Sequence, residues 1–270
     1  MIAQVRTTGA ELIRCDPGDD PSLVLACARR MATEQVGGWI AVRTGDLGQS
    51  LCDAGPQDVP LVVVAAPPVS CQSAGVGADD SHAGFLVGEQ LGAAPRNRSD
   101  CARASVMIFT DSTTGEVNDK RVAGIRAGFD AECPGKVSDA TVIDAATQDR
   151  AYDAFTTALT GVPEDADVLV ASVGDAAALG IAAAIPDDRA GHVTLAAIGA
   201  DQRARCQIVG TPGWIGDVAL FPERYGQTAV PALLEAMQGR PIARALTVPT
   251  AFATRASIDA SLDAADCPAR

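Results

Sequence analysis

Val168-Leu169-Val170-Ala171-Ser172-Val173-Gly174-Asp175-Ala176-Ala177-Ala178-Leu179-Gly180 passes from an unbroken apolar run, through a short polar turn, into an alanine-rich stretch of helical character. An apolar run of strand length without polar alternation suits a strand buried on both faces. The same sentence recurs on either side of it. Apolar runs of strand length stand at Glu11 to Cys15, Gly38 to Val42, Pro60 to Ala65, Ala104 to Phe109, Lys136 to Ile143, Val168 to Ser172 and Val193 to Ile198. Between them lie stretches of helical period: Val122, Ile125 and Phe129 share one face, Tyr152, Phe155 and Leu159 another, and Val230, Leu233, Leu234 and Met237 a third. Alternation of this kind predicts an α/β fold with doubly wound parallel sheets, because right-handed crossovers place helices on both faces. The chain shows no internal repeat or low-complexity tract, and Ala93 to Arg103 is the best candidate for a segment crossing between lobes.

At 270 residues the chain exceeds the size at which a single core usually stops growing, so two lobes are expected. Charged residues interrupt every apolar stretch before the ~20 residues a membrane helix requires. The net charge of -13, with Lys120 and Lys136 the only lysines, argues against nucleic acid as a partner. Met1 to Arg6 has neither a basic start leading into an apolar run nor a cleavage site, so no signal segment is read in this sequence. A cytoplasmic protein, a mature form and a chain cut at its beginning all remain open.

Eight cysteines with no C-x-x-C exclude zinc ribbons and thioredoxin-type centres. In an oxidising compartment, spacing suggests Cys15 with Cys27, Cys52 with Cys71, Cys101 with Cys133 and Cys206 with Cys267; buried free thiols are the alternative.

Catalytic patterns are absent: there is no G-x-S-x-G, P-loop, H-E-x-x-H or G-x-G-x-x-G, and no metal-ligand spacing. The two histidines, His82 and His192, read as helix-start or surface residues. An enzyme and a bound cofactor or metal are therefore not expected. Of the paired acids, Asp19-Asp20 precedes Pro21 and suits a helix cap, and Asp187-Asp188 follows Pro186 in a turn. Asp79-Asp80 instead stands at a predicted sheet mouth. In open parallel sheets the ligand crevice lies outside the carboxyl ends of the strands. Those positions hold Asp79 and Asp80, Phe109 to Thr113, Ser172 to Asp175, and Ala200 with Asp201.

Five of these segments resemble, in order, the sugar-type solute-binding proteins of bacterial ABC importers with the type I periplasmic-binding fold. They are Val76 to Gly84 (VGADDSHAG), Asn118 to Ile125 (NDKRVAGI), Val170 to Gly180 (VASVGDAAALG), Ala197 to Asp201 (AIGAD) and Phe221 to Gly226 (FPERYG). The resemblance implies two doubly wound lobes joined by a hinge, which close over a monosaccharide or polyol and present it to a membrane permease. It also implies an extracytoplasmic, monomeric protein. Its lobes would be 1–104 with 221–249, and 105–220 with 250–270. In the family a strand and helix precede the stretch that Gly9 to Asp16 resembles, and only the end of that helix is matched, at Met1 to Thr8; the resemblance thus implies either a truncated chain or a first lobe lacking its first strand.

On this resemblance Asp79 and Asp201 supply carboxylates that accept hydroxyl protons, and Arg121 a guanidinium fork that donates to two oxygens. The plainer alternatives are a helix cap for Asp79, a surface residue for Arg121 and a turn acid for Asp201. Asp175 is a further candidate, although an N-cap role before Ala176 also accounts for it. Phe109 and Trp214 are candidates to stack on an apolar ring face, or else core; Trp39 reads as core. Two departures remove hydrogen-bonding side chains the family often has: Gly174 stands where it has asparagine, and Leu220 where it has glutamine. A second reading of the same fold is the effector-sensing domain of a LacI-type repressor, whose helix-turn-helix this sequence lacks.

Overall fold

The computed structural model describes residues 1–18, 20–42, 44, 47–95, 98–260 and 267. Its strands are β1 (Trp39–Val42), β2 (Leu61–Val64), β3 (Ala74–Ala78), β4 (Ser105–Thr110), β5 (Thr141–Asp144), β6 (Val168–Ser172), β7 (Val193–Gly199), β8 (Trp214–Ala219), β9 (Ala245–Val248) and β10 (Ala251–Thr254). Its helices are α1 (Ile2–Arg6), α2 (Pro21–Thr33), α3 (Gly48–Ala54), α4 (Asp80–Ala93), α5 (Arg98–Arg103), α6 (Glu116–Glu132), α7 (Gln148–Leu159), α8 (Asp175–Ala184), α9 (Gln202–Gly210), α10 (Tyr225–Met237) and α11 (Arg255–Asp259). By its contacts the chain divides into two compact units, Met1–Ala78 with Phe221–Pro249, and Asp79–Leu220 with Thr250–Arg270.

The smaller unit is built on a parallel sheet in the order β1-β2-β3-β9. Alternate residues of β2 go to opposite faces. Leu61 and Val63 pack with Trp39, Leu51 and α2, whereas Val62 and Val64 pack with Tyr225, Ala229 and Leu233 of α10. Asp20 caps α2: its Oδ1 accepts from Ser22 N at 2.8 Å, and Pro21 opens the helix. Asp19 lies outside the described residues. Glu11 to Cys15, expected as a strand, is irregular. No described strand flanks β1 on its outer edge, so that stretch has no ladder to join. An apolar groove of about 790 Å³ lies there, lined by Leu12, Val24, Trp39, Val42 and Leu233 among others.

The larger unit holds a six-stranded sheet in the order β10-β8-β7-β6-β4-β5, parallel throughout except for β10 against β8. Met107, Phe109, Val170, Leu195 and Ala197 face α7, α8 and α9. Val106, Ile108, Leu169, Ala171 and Ala196 face the opposite way, with Val87, Leu91, Ile125 and Phe129. The run Lys136 to Ile143 is not one strand: Lys136–Asp139 forms a 3₁₀ turn, and only Thr141–Asp144 joins the sheet edge. Between Leu195 and Ala196 the register with β8 slips, because Trp214 pairs with Leu195 and Gly216 with Ala196.

The expected first lobe ran to 104, but Asp79 to Ala104 goes with the larger unit. Glycines explain it. Gly84 and Gly88 on α4 and Gly124 and Gly128 on α6 leave no room for a side chain between the helices: a Cβ on Gly84 would stand 2.1 Å from the Arg121 carbonyl oxygen, and one on Gly128 2.0 Å from that of Phe85. Backbone meets backbone along both helices, which joins α4 to the unit that carries α6.

The four expected cysteine pairs are the four that form: Cys15–Cys27, Cys52–Cys71, Cys101–Cys133 and Cys206–Cys267.

Candidate functional site

The site is built where β4, β6 and β7 end, with α4 and α6 entering beside them. Because α4 and α6 pack in parallel, their first turns lie together. Arg121 on α6 donates from Nε to Asp80 Oδ1 at 2.8 Å and from Nη1 to the Val173 carbonyl at 2.8 Å. Both partners of the ion pair are largely shielded, at 18% and 16% exposure, so the pair is less screened than a surface one. The guanidinium thus joins the start of α4 to the loop after β6, with further N–H donors on the same plane.

Asp79 is the N-cap of α4, and its Oδ1 accepts from His82 N at 3.0 Å. Asp201 likewise caps α9, accepting from Ala204 N at 2.8 Å. A cap uses one lone pair of a carboxylate and leaves others for a ligand hydroxyl, so the capping and binding roles are compatible.

Asp175 does something the sequence reading did not foresee. Gly174, not Asp175, precedes α8 as its N-cap. The Asp175 carboxylate reaches across to the turn after β7, where Oδ1 accepts from Ala200 N at 3.1 Å and Oδ2 from Asp201 N at 2.9 Å. Gly199 makes this possible, since a Cβ there would lie 2.1 Å from Asp175 Oδ2. Arg121 and Asp201 are therefore both tied to the Val173–Asp175 loop, and one hydrogen-bonded line runs from Asp80 to Asp201.

Behind that line lies Asp217 of β8, fully buried. Its Oδ1 accepts from Trp214 Nε1 at 2.9 Å. Residues three apart on a regular strand point to opposite faces; the extra residue at the Leu195/Ala196 slip brings these two to one face. Burial pushes the Asp217 carboxyl well above the usual carboxylate range, and the adjacent Asp175 charge pushes the same way. Asp175 is also raised, first by burial, against hydrogen bonds from Asp217 and from the Asp201 and Ala200 amides. The signal for Asp217 was present in the sequence as a carboxylate inside the apolar run Trp214-Ile215-Gly216-Asp217-Val218-Ala219.

Phe109 and Trp214 are corrected. Both are fully buried in the core, Phe109 against Phe155 at 6.3 Å between ring centroids, and neither presents a face to a ligand. Both stand on central strands covered on both sides, so packing takes the ring. Of the histidines, His82 Nδ1 lies 3.1 Å from Thr250 Oγ1, and His192 Nδ1 3.1 Å from Asp167. Among the described residues no group of His, Cys, Asp or Glu could hold a metal ion, and no helix is long and apolar enough to cross a membrane.

A family model described as "Periplasmic binding protein domain" matches residues 39–241. The chain belongs to the periplasmic binding protein domain family. Solved structures share its fold at low identity. A periplasmic ribose ABC transporter protein from Conexibacter woesei superposes with a TM-score of 0.79 at 18% identity, over 96% of this chain and 86% of that one. An ABC transporter periplasmic solute-binding protein from Actinobacillus succinogenes with bound D-allose gives 0.74 at 16%, over 96% and 92%. A solute-binding protein from Bacillus halodurans with bound myo-inositol gives 0.72 at 16%, over 96% and 89%. No curated protein matches the chain significantly. Membership of the periplasmic binding protein family accounts for the type I, two-unit α/β architecture.

Proposed function

We propose that this periplasmic binding protein is an extracytoplasmic solute-binding protein that takes a small polyhydroxylated molecule, a monosaccharide or polyol, for delivery to the permease of an ABC importer. The observation that carries the reading is the line from Asp80 through Arg121, Val173 and Asp175 to Asp201. It fixes a guanidinium and a carboxylate at the carboxyl edge of the sheet, where Asp79 caps the neighbouring helix. A polyol needs fixed ionised groups of both signs, because each hydroxyl both donates and accepts. Asp79, Arg121 and Asp201 are its proposed contacts. Asp175 acts through the turn it holds. His82 pairs with the Thr250 hydroxyl and His192 with the Asp167 carboxylate; the family is one of binding proteins, and binding without turnover is the reading for this site.

Thermal unfolding with D-ribose, D-allose, allitol, myo-inositol and glycerol tests it. A true ligand at about 100 times its Kd stabilises the fold by about 2.7 kcal/mol. Arg121→Ala removes that gain. Arg121→Lys, which keeps the charge but not the fork, retains part of it. A panel in which no member stabilises the wild type, or an Arg121→Ala protein that still responds fully, overturns the reading.

A further inference from the structure

We propose that Asp175 and Asp217 share a single proton, carried on Asp217, and that this pair clamps the Gly199-Ala200-Asp201 turn, making Asp217 a positioning residue for the ligand site. The consequence for binding rests on Asp201 being a ligand contact; the shared proton does not.

The geometry gives the argument in three steps. Asp217 Oδ1 is satisfied by Trp214 Nε1, but Oδ2 is buried with no donor reaching it. An ionised carboxylate with a bare, desolvated oxygen is costly, and a protonated one can donate instead. Asp217 pairs across the ladder with Ala197, and the Asp175 carboxylate packs on Gly199 two residues along the same strand, which sets the two carboxyls side by side; two carboxylates bond to each other only through a proton. Asp175 already accepts two backbone N–H groups, one on each oxygen, which places the negative charge on Asp175 and the proton on Asp217.

What the pair holds is a turn under strain. Ala200 has φ +57°, in the left-handed region where a Cβ is unfavourable, and Gly199 before it has φ +147°. The two bonds from Asp175 keep this turn in place and with it the backbone of Asp201. The charges acting on the pair are its own and that of Asp201. β7 and β10, which flank β8, carry no ionisable residue. The other ionisable groups on nearby elements are Arg203 and Arg205 on α9, Arg255 and Asp259 on α11, and Asp80, His82 and Glu89 on α4. Arg203 bonds Gln148, Arg255 the Val209 carbonyl and Asp80 Arg121. Loss of the shared proton would leave two adjacent buried carboxylates that repel each other beneath the turn.

The sign of the pH effect follows. A carboxyl whose folded pKa is raised contributes stability that is fully present below its unfolded pKa and is lost as pH rises through the folded value. Asp217→Asn is the discriminating variant, because its amide still donates to Asp175 and accepts from Trp214 yet cannot ionise. In ligand-free protein, the thermal midpoint of the wild type falls relative to Asp217→Asn as pH rises from about 4. Infrared spectra of the wild type show a carboxyl still protonated above the ordinary carboxylate range that is missing in Asp217→Asn. The binding arm uses the panel sugar or polyol that stabilises the wild type most. Its affinity falls by up to about tenfold per pH unit above the titration of the pair, the slope for one proton, and stays level in Asp217→Asn. Parallel midpoint curves, or a wild type without the protonated carboxyl, overturn the shared proton. A protonated carboxyl with pH-independent binding overturns the clamp. If no panel member binds, the ligand reading falls and the positioning role with it, while the midpoint and infrared arms still decide the proton. Should Asp217→Asn not fold, the infrared spectrum of the wild type decides it alone.

Discussion

Gly88 on α4 lies so close to Ile125 on α6 that a Cβ added to it would stand 2.0 Å from the Ile125 carbonyl oxygen. No rotamer relieves such a clash, because the obstacle is backbone and the helices themselves must part. Gly88→Ala is therefore expected to destabilise the protein by about 1–3 kcal/mol or more, despite the helix propensity gained. A lowered urea midpoint with an unchanged slope would show it. Since the same contact sets Asp80 beside Arg121, the ion pair should weaken with it, and the Arg121 Nε–H should exchange faster with solvent in the variant.

Phe109 supplies the contrast between core and site. Its ring is fully buried against Phe155. Phe109→Leu should lose the aromatic pair, about 0.5–1.5 kcal/mol, together with the cost of any cavity left behind. The stabilisation produced by a bound sugar or polyol should be unchanged. A variant with normal stability and lost binding would restore Phe109 as a stacking residue.

The central strands were legible because β2, β4, β6 and β7 are buried on both faces and so read as plain apolar runs. The strands that escaped had no such run. β3 is Ala-Gly-Val-Gly-Ala, a single valine among small residues of low β propensity, and β8 is interrupted by Gly216 and Asp217; β9 and β10 are four-residue edge strands, half exposed. Glu11 to Cys15 has a strand's composition, but pairing depends on a neighbour, which composition does not record. At the site, Asp79 and Asp201 stood out because they follow strands. The reach of Asp175 into the next turn depends on Gly199 lacking a side chain and on the slip in β8, neither of which single residues reveal.

The disulfides should differ in worth according to the loop each closes. Cys206–Cys267 spans 61 residues and Cys15–Cys27 only 12. Chain entropy assigns about 4 kcal/mol to the first and about 3 to the second. Replacing Cys206 and Cys267 together by serine should thus lower stability by about 1 kcal/mol more than replacing Cys15 and Cys27. Denaturant unfolding of the two double variants measures the difference. Alkylation before and after reduction should find no reactive thiol in the native protein and eight in the reduced, unfolded chain.

Asp144, at the end of β5, should respond to pH in the direction opposite to Asp217. The Ser112 hydroxyl donates to Asp144 Oδ2 at 2.6 Å and the Ser112 amide to Oδ1 at 2.9 Å. The side-chain bond, then the backbone bond, holds the Asp144 carboxyl below its ordinary range. A lowered folded pKa contributes stability above the unfolded pKa and loses it as pH falls through the folded value, so this bond acts on the acid side only. In Ser112→Ala the amide remains but the hydroxyl is gone. The Asp144 pKa, followed by NMR titration of its carboxyl carbon, should rise toward the usual carboxylate value, and the acid unfolding limb should move to higher pH. Because Asp144 is exposed, the shift should shrink in high salt only by the part due to Arg150, leaving the hydrogen-bond part in place.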